Sequence, residues 1–252
     1  MADRTIYVGN GSNVAVEPTK IYIGDSNDTA QEVTKIYVGN VSNKAVQVWP
    51  RYKWSDIYQR CEYLYNANST EYITTGIHPN SNTRIVIDAK KNNSENSNHD
   101  RTLCKTYGGY YGLSWYHSAS TTSAGYIYYN FGSSRTVAYA INYSDWWNGR
   151  HTYDMNRNGG HMYMDSVHVG QSTATFAQMD GVIQIWEGSA AYYTPLKWYV
   201  YSFKAYQNDA LIRDMWPCYR KSDYKPGMYD FANDVFYTNA GSGEFYKGPD
   251  VN

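Results

Sequence analysis

The chain of 252 residues is short of several things, and each shortage removes a class of function. Charged residues make up only 18% of it, below the usual quarter of a globular chain. The formal net charge is -1 and no basic run stands out. That leaves no electrostatic case for nucleic acid or for an anionic membrane surface. No apolar run approaches the roughly 20 residues of a membrane span. The opening MADRTIYVGN lacks a cationic stretch followed by an apolar one, so no secretory signal is read and synthesis in a cytoplasm is expected. Cysteine is limited to Cys61, Cys104 and Cys218. An odd number without metal-ligand spacing reads as free thiols, with Cys218 expected in a core. No convincing amphipathic helix of ten or more residues is found either.

What is abundant is tyrosine, at 29 residues, within an aromatic content of 17%. Tyrosine joins an apolar body to a polar tip, so it serves cores, strand faces and binding surfaces alike. The length suits one large domain, or a medium domain with a small module. A repeat favours the second. Ile6-Tyr7-Val8-Gly9 returns as Ile21-Tyr22-Ile23-Gly24 and as Ile36-Tyr37-Val38-Gly39, with Ala15, Ala30 and Ala45 in step. Each unit opens on a β-branched, aromatic, β-branched triplet and continues into turn-tolerant residues such as Asn10-Gly11-Ser12-Asn13. Residues 1–50 therefore read as three 15-residue β-hairpins. Two-stranded hairpins are marginal alone, and their open edges invite pairing, so the module is expected to attach or oligomerise. Residues 51–60, after Trp49-Pro50, read as a bridge.

Residues 61–252 read as strands separated by turn signals. In Thr83–Ala89, Ile85 and Ile87 share one face. Gly125–Phe131 and Thr136–Ile141 read as a strand pair, and His151–Met155, His161–Met164, Val182–Trp186 and Leu196–Lys204 continue the pattern. Near the end, Phe236-Tyr237-Thr238 and Glu244-Phe245-Tyr246 read as a hairpin across Ala240-Gly241-Ser242-Gly243, bringing the chain's end beside its start. The fold class expected is all-β, an antiparallel two-sheet sandwich.

A resemblance refines this. The run from Glu71 through Gly76-Ile77-His78-Pro79 to Arg84 resembles the opening of concanavalin A-like (laminin G-like) jelly-roll domains found in tail and prophage proteins of gut bacteria. Arg213-Asp214-Met215-Trp216-Pro217-Cys218-Tyr219-Arg220-Lys221 resembles a segment near the end of such domains, and Gly227-Met228-Tyr229-Asp230 and Phe236–Gly243 resemble their closing pieces. The hairpin repeats also resemble ones found beside such domains. The likeness is good at both ends of the body and thin between about Lys90 and Ser202. It implies a jelly-roll sandwich on a phage tail or related particle, where the usual role is adhesion to host surface glycan. The fold itself hosts lectins, structural modules and enzymes.

Catalytic patterns are not found. A glycosidase needs two carboxylates roughly 5 to 10 Å apart across a cleft, and no Glu-x-Asp-x-x-Glu run is present. Glu95 and Asp100 lie in a polar loop, Asp180 and Glu187 flank a strand at odd spacing, and Asp230 and Asp234 sit at a turn. No Gly-x-Ser-x-Gly elbow appears. His161 and His168 are too far apart in sequence for a zinc motif. Calcium serves related lectin-like folds, but Asp145, Asp165, Asp180 and Asp230 are scattered and form no oxygen-ligand loop. Neither a cofactor nor a metal is assigned, and no enzyme is expected.

The recognition surface is expected instead among aromatic and small polar residues: Tyr110, Tyr111, Trp115, Tyr116, His117, Asp145, Trp146, Trp147, Asn148, Tyr192 and Tyr193. Such mixtures supply rigid anchors and adaptable hydrogen bonds. The partners expected are a host surface glycan and, through the repeats, other tail proteins. A homotrimer is taken from the usual symmetry of tail fibres, and the location expected is the virion. A structural virion protein that binds only other tail proteins is the alternative, with a jelly-roll glycosidase behind it.

Overall fold

The computed structural model describes residues 54–67, 70–91, 101–106, 114–119, 124–131, 134–142, 149–157, 159–172, 175–176, 181–186 and 198–251, and six short strands within the first 50 residues. The chain divides into two compact units, Met1–Ile57 and Tyr58–Asn252.

In the first unit, β1 (Val8–Gly9) pairs with β2 (Ala15–Val16), β3 (Tyr22–Gly24) with β4 (Ala30–Glu32), and β5 (Ile36–Gly39) with β6 (Ala45–Trp49), all antiparallel. The 15-residue period is also a structural one. Gly9 faces Ala15, Gly24 faces Ala30 and Gly39 faces Ala45, so one glycine–alanine pair closes every hairpin. A single helical turn, α1 (Trp54–Ile57), follows.

The second unit is a sandwich of two antiparallel sheets. Its first strands are β7 (Tyr58–Arg60), β8 (Leu64–Tyr65), β9 (Ile73–Thr74) and β10 (Thr83–Lys91). Then come β11 (Arg101–Thr106), β12 (Ser114–Ala119), β13 (Ala124–Phe131), β14 (Ser134–Asn142), β15 (Arg150–Arg157), β16 (His161–Met164), β17 (Val167–Gln171) and β18 (Ile183–Ile185). The last are β19 (Trp198–Gln207), β20 (Ala210–Arg220), β21 (Pro226–Asp230), β22 (Val235–Tyr237) and β23 (Tyr246–Lys247). The larger sheet runs β17-β16-β15-β10-β19-β20-β21-β22, with β8 beside β19, β23 beyond β8, and β7 beside β20. The smaller runs β14-β13-β12-β11-β18-β9. The expected strand pair after Gly125 is the β13–β14 ladder.

The core lies between the sheets. β10 alternates buried and half-buried residues along its whole length, with Ile85, Ile87 and Ala89 fully buried. They join Tyr153, Met155, Val200, Phe203, Ala205, Met215 and Met228 of the same sheet against Ile73, Leu103, Cys104, Ile183 and Ile185 of the other. Each fully buried aliphatic side chain contributes about 1.5–3 kcal/mol. One irregularity keeps this face in phase. Asp88 pairs with Ser202 but Ala89 pairs with Val200, so Tyr201 is an extra residue in β19. Val200 and Phe203, three apart, would lie on opposite faces of a regular strand. The bulge lets both reach the core.

Two readings of the chain change here. Tyr58–Arg60, placed by sequence in the bridge, form β7 and pair with β20. The closing hairpin of 236–246 does not form. β22 pairs with β21, while β23 crosses to β8. The intervening residues are tied elsewhere: Ala240 N–H donates to Tyr72 O (2.9 Å), Ser242 N–H to Thr70 O (3.1 Å), and Asn239 Oδ1 accepts from Tyr72 N–H (3.0 Å). The end of the chain still returns beside the start of the sandwich, where Cys61 bridges Asp250 and Val251 N–H donates to Arg60 O at 3.0 Å.

All three cysteines are free and buried. Burial pushes the Cys61 thiol up to about 12 and pushes Cys218 higher still, the neighbouring Cys61 adding to it. A raised thiol pKa keeps the sulfur protonated at pH 8, and the thiolate is the reactive form. Native protein at pH 8 is therefore expected to release fewer than about 0.2 equivalents of colour with a disulfide thiol reagent, and all three thiols in denaturant. Full reaction without denaturant would refute this burial. Among the described residues no helix is long and apolar enough to cross a membrane.

Candidate functional site

The alternation that buries one face of the larger sheet leaves the other to tyrosine, arginine and aspartate. Sequence already carries the pattern: Tyr63-Leu64-Tyr65 and Tyr199-Val200-Tyr201 set tyrosines on either side of an aliphatic residue that is fully buried. In β8 and β19, Tyr65 faces Tyr199, and on its other side Tyr246 of β23 faces Tyr65. The three rings form a ladder across three strands, with centroids 5.2 Å apart for Tyr65–Tyr199 and 4.9 Å for Tyr65–Tyr246. The last pair is stacked, at 19° between planes. Tyr63 adds edge contacts to Tyr199 (4.8 Å) and to Tyr201 (5.5 Å). Cross-strand aromatic pairs contribute roughly 0.2–1 kcal/mol each, so the ladder stabilises the sheet as well as shaping its surface.

Stacked rings cover one another's faces and turn their edges and hydroxyls outward. Tyr246 ends the row and is 54% exposed. One ring face rests on Tyr65. The bulge residue Tyr201 is nearly buried, and the Arg150 guanidinium lies 3.8 Å over its ring. Arg150 is itself held by Asp88 through two hydrogen bonds, Nε–H to Oδ1 at 2.8 Å and Nη2–H to Oδ2 at 2.6 Å. Burial, and then the charge of Glu62, push the Tyr201 phenol up to about 12. Burial likewise raises Tyr65 and Tyr199. All three hydroxyls therefore stay protonated and able to donate.

The same construction recurs across this face. Arg84 is held by Asp154 (2.7 Å) and lies 5.0 Å over Tyr206. Arg60 lies 4.2 Å over Trp216, which Lys204 approaches at 5.8 Å while pairing with Asp214 at 3.4 Å. The result is a surface of aromatic rings alternating with fixed donors and acceptors, the chemistry that neutral polar ligands with apolar C–H faces require.

Of the residues expected from sequence, Trp115, Tyr116 and His117 lie on β12, inside the smaller sheet, with Tyr116 facing Thr102 of β11 and Tyr128 of β13. Tyr110, Tyr111, Asp145, Trp146, Trp147, Asn148, Tyr192 and Tyr193 lie outside the described residues, as do Glu95, Asp100, Asp180 and Glu187. Asp165 sits in the β16–β17 turn, where its Oδ2 is 2.6 Å from His151 Nδ1 and its Oδ1 accepts from Thr152 N–H at 2.9 Å. Asp230 is buried at a turn. Among the described residues no group of three or more His, Cys, Asp or Glu is arranged to hold a metal ion. Tyr63, Tyr65, Tyr199, Tyr201 and Tyr246 lie outside the clusters of aromatic and small polar residues expected from sequence; the signal in Tyr63-Leu64-Tyr65 and Tyr199-Val200-Tyr201 is tyrosine–aliphatic alternation. No family model matches the chain, and no curated protein matches it.

Proposed function

We propose that the chain is a non-catalytic adhesin whose sandwich, of the concanavalin A-like jelly-roll kind, holds a carbohydrate on the tyrosine-lined outer face of its larger sheet. The observation that supports this is the Tyr246–Tyr65–Tyr199 ladder, which ends in an exposed ring and continues through Tyr63 to Tyr201, the ring that Arg150 covers. A sugar ring presents C–H groups to the exposed ring of Tyr246, and a longer oligosaccharide running across the strands brings other hydroxyls to the ladder phenols and, on β10 and β15, to the Asp88–Arg150 pair. The resemblance of Glu71–Arg84 and Arg213–Lys221 to tail and prophage proteins supports a place on a phage tail, with host surface glycan as receptor. In this reading the three hairpins of residues 1–50 attach the sandwich to other tail proteins or to further copies of itself. Single-site contacts of this kind are weak, and copies displayed together raise apparent affinity by about 10²–10⁴.

The test is an array of host cell-wall polysaccharides probed with the full chain. Binding is expected, and Tyr246→Ala is expected to weaken it about tenfold, the loss of one stacking contact. Trp146→Ala and Trp147→Ala are measured beside it for the aromatics that lie outside the described residues. A blank array with tight binding to a tail protein would overturn the reading in favour of a structural virion protein. Reducing sugar released from the polysaccharide would overturn it in favour of a glycosidase.

A further inference from the structure

The hairpin β16–β17 forms one edge of the larger sheet, separated from β8 by the three strands β15, β10 and β19. It brings together two histidines that sequence reading separated. His161 and His168 are seven residues apart, but the chain reverses between Met164 and Val167, and Met162 pairs with Gly170 while Tyr163 pairs with His168. The register slips there, leaving Val169 unmatched, and Val169 packs against the core. The slip sets His168 across from Tyr163 and diagonal to His161. His161 Nδ1 and His168 Nε2 then face each other at 3.0 Å, with ring centroids 5.0 Å apart. Both rings are open to solvent, His168 the more so.

We infer that His161 and His168 form a two-imidazole site for a divalent transition-metal ion. In the neutral pair one ring's N–H donates to the other's nitrogen. A metal ion can take the place of that shared proton once the donor ring moves its proton to the far nitrogen, leaving both facing nitrogens as ligands. With metal–nitrogen bonds of about 2.0–2.1 Å, nitrogens 3.0 Å apart subtend roughly 91–97° at the metal. That is the cis angle of tetragonal or octahedral coordination. A tetrahedral ion, at about 109°, would hold them roughly 3.3–3.4 Å apart. The separation is compatible with that cis coordination, and the intrinsic affinity of nitrogen donors favours copper(II), with nickel(II) also accepting tetragonal nitrogen and oxygen donors, ahead of zinc. Water completes the coordination on the open side. Neighbouring groups moderate the site. The Tyr163 ring packs 5.2 Å from His168 and 6.5 Å from His161, limiting ring rotation. Arg157, the strand partner of His161, lies over Tyr163 at 5.0 Å, and its charge is offset by Asp154 at 4.0 Å.

The site goes beyond glycan binding and is tested without it. The 252-residue chain is titrated calorimetrically with copper(II), nickel(II), zinc(II) and magnesium(II) salts at neutral pH. The wild-type chain is expected to bind one equivalent of copper(II) that His161→Ala and His168→Ala each bind at least tenfold more weakly, with affinity falling from copper(II) to nickel(II) to zinc(II) and no magnesium binding. The exposed control His78→Ala is expected to keep the wild-type value. Hydrogen exchange supplies a second readout. Copper(II) should slow exchange of the β16 and β17 amides in wild type and in His78→Ala, and should leave them unchanged in His161→Ala. Equal copper(II) affinity in wild type and both variants would overturn the assignment, as would loss on substituting one histidine but not the other.

Discussion

Trp186→Ala is expected to lower the stability of the sandwich by about 3–5 kcal/mol, the range for emptying a large aromatic site in a packed core. Trp186 follows β18 directly and is among the largest fully buried side chains. It ties three parts of the sandwich together. Its backbone N–H donates to Leu103 O of β11 (2.9 Å), its indole Nε1–H donates to Trp198 O of β19 (3.0 Å), and its ring packs 5.0 Å from that of Phe245 near the chain's end. Those partners belong to the smaller sheet, the larger sheet and the C-terminal segment. The residue also holds φ at 58°, in the left-handed region. A bulky side chain occupies that region only where its surroundings fix it. Truncation removes the packing and the indole donor to the Trp198 carbonyl together.

In urea, a loss of that size moves the midpoint down by about 1.5–2.5 M for a slope near 2 kcal/mol/M. Trp186→Phe keeps most of the volume and loses chiefly the hydrogen bond, so it is expected to cost about 1–3 kcal/mol. Trp216→Ala is the informative comparison. Trp216 is half-buried on the outer face under Arg60 and Lys204, and its removal is expected to cost less than either. A Trp186→Ala midpoint within about 0.5 M of wild type would show that this indole does not join the two sheets.

How much of this was legible in the chain depends on the range of the information. Patterns of period two are local, and they carried well. Ile85 and Ile87 face the core as their spacing requires, and the glycine and alanine of each 15-residue unit meet in one shared register. The tyrosine ladder was equally local within each strand, in Tyr63-Leu64-Tyr65 and Tyr199-Val200-Tyr201. Its assembly was not, because nothing near Tyr65 specifies that β19 and β23 flank it. The bulge at Tyr201 escaped for a related reason. An extra residue shifts the phase of a strand, and only the core positions on both sides reveal it. The closing hairpin failed because Asn239, Ala240 and Ser242 bond to Thr70 and Tyr72, some 170 residues earlier, where a local reading looks to the nearest strand. The histidine pair follows the same logic: seven residues is a poor spacing on one strand and a close one across a hairpin with a register slip.

Asp230→Ala is expected to cost about 3–5 kcal/mol, because it removes the carboxylate from a buried, hydrogen-bonded charge site. Two segments that read as separate motifs, Arg213-Asp214-Met215 and Gly227-Met228-Tyr229-Asp230, meet here as strands β20 and β21. Asp230 is fully buried. Its Oδ1 accepts from Asp214 N–H (2.8 Å) and Ala232 N–H (3.0 Å), and its Oδ2 accepts from Asn233 Nδ2–H (2.8 Å) and lies 3.6 Å from Arg213 Nε. Arg213 is largely buried too, its Nε–H donating to Thr75 O at 3.1 Å and its Nη1–H to Ile212 O at 2.7 Å. Truncating Asp230 leaves two backbone N–H groups without this acceptor and a largely buried guanidinium without its counter-charge. Asp230→Asn keeps the shape and one acceptor oxygen but turns an amide donor toward Asn233 and Arg213, for an expected cost of about 2–3 kcal/mol. Asp223→Ala, which removes the exposed partner of Arg220, is expected to leave the urea midpoint essentially where it was, since exposed pairs contribute little. The decisive measurement is the double variant Arg213→Ala with Asp230→Ala. Once the guanidinium is gone its uncompensated charge is gone as well, so the pair is expected to cost less than the sum of the single changes by about 1–3 kcal/mol. Strict additivity would mean that Asp230 acts on the β21 turn alone and does not anchor Arg213.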